Sequence, residues 1–134
     1  MASSAIACNV ANHLKGDTAD VLPLIYQDGI NLIQWQRPPN SALREYAHYL
    51  TSDSNHFSVF KSRLTPDSAA DILQQELPPH RHKQELIDDL TLLVDMFCTL
   101  FELPAASARL SVLDSAMCPK FHTDKVPCRL VSSF

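Results

Sequence analysis

The sequence predicts an α+β fold, and three observations support this prediction. An apolar stripe at helical spacing covers residues 83–103, and two shorter helical segments precede it. Runs rich in β-branched and aromatic residues lie before and after these segments. The chain has only two glycines among 134 residues, against about nine at ordinary usage. Because glycine makes tight turns easily, so few of them favour a helix-rich front part over a turn-rich sheet.

The N-terminal part predicts an arm followed by a hairpin. Residues 1–20 are small and polar without a sustained period, so we expect a loosely ordered arm and a single α+β domain over 21–134. Residues 22–37 place two strand-like runs on either side of Asp28-Gly29. That dipeptide can supply the positive φ of a tight turn, so it predicts a β-hairpin.

Three helices follow in the prediction. Ser41 is expected to cap a first helix that ends at about Leu50, and Thr65 a second that ends at about Leu77. The third helix, over 83–103, has the strongest pattern and ends before Pro104. Its predicted core residues are Leu86, Ile87, Leu90, Leu93, Val94, Phe97, Leu100 and Phe101.

Two strands are expected after the helices, over residues 109–114 and 128–134. The second strand ends the chain on an apolar residue and would need a neighbour to pair with. We therefore expect a domain that is incomplete at its C-terminus, with the order expected of the front part of a jelly roll. A second copy or another partner would cover the exposed strand edge.

Composition excludes several classes of function. The 15 acidic and 11 basic residues give a net charge of −4, so no nucleic-acid partner is expected. Gly16 and Gly29 are too far apart for a phosphate-binding glycine loop. No export signal is recognisable, and the most apolar stretch contains four carboxylates, so no membrane partner is expected. With Cys98 inside a helical apolar pattern, the cysteines predict reduced thiols and a cytoplasmic protein.

The residues best suited to chemistry are close together near the C-terminus. Cys118, His122, Asp124 and Cys128 are four potential metal ligands within eleven residues. Together they would make a mixed tetrahedral zinc site. In an extended strand, His122 and Asp124 would point to one side and supply two of the three ligands of an Fe(II) facial triad. A bound zinc or Fe(II) ion is therefore expected.

Other interpretations of these residues stay open. Arg129 would hold an anionic cofactor or form a salt bridge with Asp124 or Asp114. His122 could bond Asp124 in a loop with both cysteines as small apolar groups, or could activate a cysteine nucleophile. The pattern decides neither for nor against an enzyme. A second histidine pair, His80 and His82, is interpreted as a solvated helix entry rather than as metal ligands.

The segment also carries a family resemblance. The run RLSVLDSAMCPKFHTDKVPCRLV, with NLIQWQRP upstream, is similar to an uncharacterised bacterial family, domain of unknown function 1826. The resemblance spans residues 22–134 and is sharpest over 118–129. Members often occur among zinc-responsive genes, which implies metal binding linked to zinc homeostasis. They continue past the position of Phe134 into a Gly-Pro-Gly-Thr-Glu-Trp type segment, so the chain resembles a C-terminally shortened member.

Overall fold

A computed structural model describes residues 6–10, 12–52, 57, 59–112 and 128–134, with the backbone alone for 6–10. The described residues combine helices with strands, which confirms the α+β class. The chain divides into two compact units, residues 1–39 and 40–134. The arm over 1–20 and the single domain over 21–134 stay a prediction.

The first unit contains a three-stranded sheet. Strand β1 (Ile6–Val10) pairs antiparallel with β2 (His13–Gly16). Strand β3 (Leu32–Trp35) lies parallel on the other side of β2. A 3-10 helix (Ala19–Tyr26) connects β2 to β3. A hairpin is thus present near the N-terminus, but it lies where a loosely ordered arm was expected.

The predicted hairpin over residues 22–37 is wrong. Pro23 lies within the 3-10 helix, and a proline has no N–H to donate to a strand ladder. Gly29 does have the predicted positive φ, +82°. However, its turn joins the 3-10 helix to β3, with the Ile30 N–H donating to the Gln27 carbonyl at 3.1 Å. The turn chemistry was predicted correctly, whereas the pairing of the flanking segments was not.

The second unit contains three helices and a two-stranded ribbon. The helices are α1 (Ser41–Leu50), α2 (Ala69–Glu76) and α3 (Lys83–Leu100), which confirms the three predicted ones. Strands β4 (Val59–Leu64) and β5 (Ala106–Ser111) pair antiparallel. β5 overlaps the strand predicted over 109–114. Strand β4 was not predicted, because Ser62 interrupts the apolar alternation of Phe60 and Leu64.

Side-chain hydrogen bonds hold the backbone at or just before the start of the first two helices. Asn40, rather than the predicted Ser41, caps α1, because its Oδ1 accepts from the N–H groups of Ala42 and Leu43 at 3.0 and 3.2 Å. Before α2, Thr65 and Ser68 each accept a bond from the other's backbone N–H, at 3.0 and 3.1 Å. The predicted cap Thr65 is therefore wrong, because the N-cap residue of α2 is Ser68 and Thr65 lies in the turn before it.

The core of the second unit lies between the helices and the inner face of the ribbon. Every helix and β4 contribute to it, and the inner side chains of β5 pack against it. Cys98 is buried here, as predicted. The core residues are Leu43, Tyr46, Leu50, Phe60, Leu64, Ala69, Leu73, Leu77, Leu86, Ile87, Val94 and Cys98.

The predicted strand over 128–134 is wrong, because these residues form no strand in the structure. Val131 is 75% exposed, and β5 takes β4 as its partner instead. Strand-forming residues give a stable strand only where a neighbour supplies ladder hydrogen bonds and a packing face. The edge that a partner was expected to cover is therefore not formed by this segment. Among the described residues, no helix has the length and apolarity to cross a membrane.

Candidate functional site

Most of the predicted metal segment lies outside the described residues. Cys118, His122 and Asp124 belong to the stretch 113–127, which the structure does not describe. Cys128 is half-buried with a free thiol, and Arg129 is exposed. Elsewhere in the described ranges, no group of three or more histidine, cysteine, aspartate or glutamate side chains could hold a metal ion. The metal ligand set therefore stays a prediction.

A cluster of polar side chains lies at the entry to α3, with His82 at its centre. His82 Nε2 lies 2.7 Å from Glu45 Oε2 on α1, and its Nδ1 lies 2.7 Å from Glu85 Oε2 in the first turn of α3. The His82 ring, 25% exposed, thus links two helices through two carboxylates.

His80 is held just before this link. Its Nδ1 accepts the backbone N–H of His82 at 3.0 Å. Its ring packs at a tilt against Tyr49 and Tyr46, with centroid distances of 4.6 and 5.2 Å. The predicted solvated helix entry is therefore a packed aromatic one. A ring nitrogen that already accepts from backbone is poorly placed to bind a metal.

Tyr46 is the fully buried residue that packs against the cluster. Its side chain is fully buried, and its hydroxyl donates to the carbonyl of Pro78 at 2.6 Å. Burial, followed by the nearby Tyr49 hydroxyl, raises the pKa of Tyr46 to about 12. The hydroxyl therefore stays protonated at neutral pH and keeps its hydrogen bond.

Glu45 carries the ion pairs of the cluster. Partial desolvation by itself raises the pKa of the Glu45 carboxyl, but Arg81 and His82 act against it and leave the pKa below its usual value. Arg81 Nη2 lies 3.1 Å from Glu45 Oε1. Glu45 thus contacts Arg81 and His82, two side chains of the segment that leads into α3.

The arrangement is suited to holding helices together rather than to proton transfer or metal binding. Both nitrogens of His82 face carboxylates, and Nδ1 of His80 accepts a backbone N–H. The buried Cys98 offers no nucleophile either, since burial, then Asp95, raises the pKa of its thiol.

Comparison with known proteins identifies the family. The family model described as "Protein of unknown function (DUF1826)" matches residues 16–134. The chain belongs to the DUF1826 family. The resemblance stated from the sequence is thereby confirmed. Neither a curated protein nor a solved structure matches this DUF1826 chain.

Part of the cluster in this DUF1826 member had a local sequence signal. His82 is the N-cap residue of α3, and Glu85 stands three positions later, where a capping box places its acidic residue. Tyr46 and Tyr49 are spaced to share one side of a helix. The partnership of Glu45 with His82 had no such signal, because it joins distant parts of the chain.

A pH dependence of stability follows from Glu45. Its folded-state pKa is lowered from 4.5, so its ion pairs stabilise the fold above that value and are lost as the pH falls through the folded pKa. We expect the Glu45→Gln variant to melt below the parent at about pH 6, and the difference to shrink toward about pH 3. Thermal melts across this range would measure it.

The matched control is Glu76→Gln, at an exposed glutamate of α2 with no ion pair to another described residue. This variant should differ from the parent by a small amount that does not change over the same range. A constant difference for Glu45→Gln as well would contradict the role given to the Glu45 ion pairs.

Proposed function

We propose that this DUF1826 member binds a transition metal, zinc or Fe(II), through Cys118, His122, Asp124 and Cys128. The observation that carries the proposal is the spacing of these four ligands within eleven residues. Thiolate and imidazole together favour zinc over magnesium or calcium, which prefer oxygen ligands. A role in zinc homeostasis fits the proposal, because it needs binding of the ion and no further reaction.

Two properties of the described residues support the proposal. Cys128 is in no disulfide and is partly accessible, as a thiol must be before it binds a metal. The other close histidine pair, His80 and His82, is already engaged by carboxylates and backbone. Metal affinity of the protein should therefore depend on His122 and not on the entry to α3.

Metal analysis of protein purified without a histidine tag tests the proposal. We expect about one metal ion per chain in the parent, because four ligands complete a tetrahedral site. The double variant Cys118→Ala, His122→Ala should retain background metal only. His48→Ala, at an exposed histidine of α1, serves as the control and should retain the parent's metal content.

The parent would be incubated with zinc, or with Fe(II) under anaerobic conditions. A metal content well below one ion per chain would then reject the proposal. Equal loss of metal in the His48→Ala control would also reject it, because the ion would then be held by scattered surface histidines. Circular dichroism of each variant would establish that the helices are still formed.

A second candidate is an Fe(II)-dependent oxygenase-like domain. It is favoured by the order of helices, strand β5 and then His122-x-Asp124, which is the order expected before the first two ligands of a facial triad. In this candidate the fold is an incomplete jelly roll that lacks its distal ligands, and Arg129 takes over the binding of the anionic co-substrate 2-oxoglutarate. It predicts that Fe(II) binding makes 2-oxoglutarate bind, and that Arg129→Gln weakens it. Zinc binding without any effect of 2-oxoglutarate would decide for the first candidate.

A third candidate is a non-catalytic remnant that folds fully only with a partner or a second copy. It is supported by the exposed apolar side chains of the C-terminal segment, Leu130, Val131 and Phe134. It predicts a dimer in size-exclusion chromatography, or weak protection in hydrogen exchange when the chain is alone. A stable monomer would reject it.

A further inference from the structure

The outer face of the β4–β5 ribbon concentrates positive charge. Phe60 and Leu64 of β4 are buried on the inner face, so the alternate residues Lys61 and Arg63 point outward and are exposed. On β5, Arg109 is likewise exposed. Three cations thus share one face of a short ribbon, and neither strand contains a carboxylate.

The register of the two strands brings these cations close together. Lys61 is directly opposite Arg109, and Arg63 is opposite Ser107. Side chains directly opposite on one face have Cβ atoms about 4.5–5.5 Å apart, and diagonal neighbours such as Arg63 and Arg109 are about 7–8 Å apart. Like charges placed in this way repel each other and weaken the pairing of the strands.

Among the described residues, no ion pair relieves this repulsion. The ion pairs recorded there involve Arg81 and His82, and none involves a cation of the ribbon. The arrangement is notable in a chain with a net charge of −4. A bound anion would supply the missing negative charge.

The ribbon also offers a place for such an anion. A shallow depression of about 380 Å³ is lined by Lys61, Ser62, Ser107, Ala108 and Arg109. The exposed Ser107 carries a hydroxyl that can donate to an anionic oxygen. Lysine, arginine and serine are common donors to phosphate oxygens.

We propose that this face binds a compact phosphate group, as in pyrophosphate or a small phosphorylated metabolite, through Lys61, Arg109 and Arg63, with Ser107 as a neutral donor. A compact ligand is favoured over an extended polyanion, since three cations match the charge of one or two phosphates. The net negative charge of the whole chain would repel a long nucleic acid. None of these residues is one of the proposed metal ligands, so the proposal does not depend on metal binding.

A calorimetric titration of the full chain with pyrophosphate at low salt tests the proposal. We expect binding that weakens at least about tenfold in the double variant Lys61→Gln, Arg109→Gln, because charge-assisted hydrogen bonds are lost. The control is a second double variant, Arg44→Gln with Lys15→Gln. It removes the same charge at two other sites, one of them exposed on α1, and should bind pyrophosphate as the parent does.

A second readout does not depend on the ligand. Without phosphate, Lys61→Gln alone should raise the melting temperature by about 1–4 °C, because it removes the repulsion from Arg109. Pyrophosphate should then stabilise the parent more than the variant. Absence of binding, equal weakening in the control, or tighter binding of a single-stranded oligonucleotide than of pyrophosphate would each overturn the proposal.

Discussion

Replacing Tyr46 with alanine should lower the free energy of unfolding of the second unit by about 3–5 kcal/mol, the range for removing a large buried aromatic ring. Tyr46 is fully buried. Its ring lies in contact with Tyr49 and His80, with centroids 5.9 and 5.2 Å away. Truncation would also leave the Pro78 carbonyl without the hydroxyl that donates to it at 2.6 Å.

Tyr46→Phe separates the two contributions. It keeps the ring and removes only the hydroxyl, so we expect a loss of about 1–2 kcal/mol from the unsatisfied carbonyl. Equal losses in the two variants would show that ring packing contributes nothing, and would contradict the described core.

Chemical denaturation followed by circular dichroism is a suitable measurement. The three described α-helices all belong to residues 40–134, so the helical signal reports mainly on the second unit. The single tryptophan, Trp35, belongs to residues 1–39. Its fluorescence therefore gives a separate signal from the first unit in the same experiment.

The second large effect is expected for Leu86→Ala in α3. Leu86 is 1% exposed and lies in the core of the second unit. Truncation removes apolar burial and leaves a cavity, which together cost about 2–5 kcal/mol for a buried leucine. The same denaturation experiment measures this loss.

Leu92→Ala is the matched control for Leu86→Ala. It makes the same chemical change in the same helix, but Leu92 is 47% exposed. We expect a change of no more than about 0.5 kcal/mol, as for most surface substitutions. Similar losses for the two variants would contradict the orientation of α3 that the structure describes.

The helices could be predicted because their signals are local. The stripe in α3 follows the helical period, and Pro104 limits how far the helix can extend. Only its C-terminal bound was overestimated, at 103 instead of Leu100. Predictions of strands were less accurate, since a strand depends on a partner that no local pattern specifies.

The failed hairpin illustrates this limit. Asp28-Gly29 correctly indicated a turn with a positive φ at Gly29. What the turn connects depends on β3 pairing with β2, a choice that depends on a segment earlier in the chain. The missed strand β4 has the same cause, because its apolar alternation is interrupted and only the ladder with β5 identifies it.

The candidate sites differ in the same way. Local spacing alone led to the proposal of metal ligands over 118–128, and the family match covers the sequence run that carries them. The helix-entry cluster was not predicted, because Glu45 reaches His82 only once α1 packs beside α3. The cationic face of the ribbon likewise depends on the register that sets Lys61 opposite Arg109.

By itself, the sequence determined the α+β class, the three helices, the turn at Gly29 and the family, because each is encoded by neighbouring residues or by one continuous pattern. Only the tertiary structure decided which strands pair, that His80 and His82 are packed and engaged, and that three cations share one face. These features require residues far apart in the chain to meet, and burial and strand register bring them together.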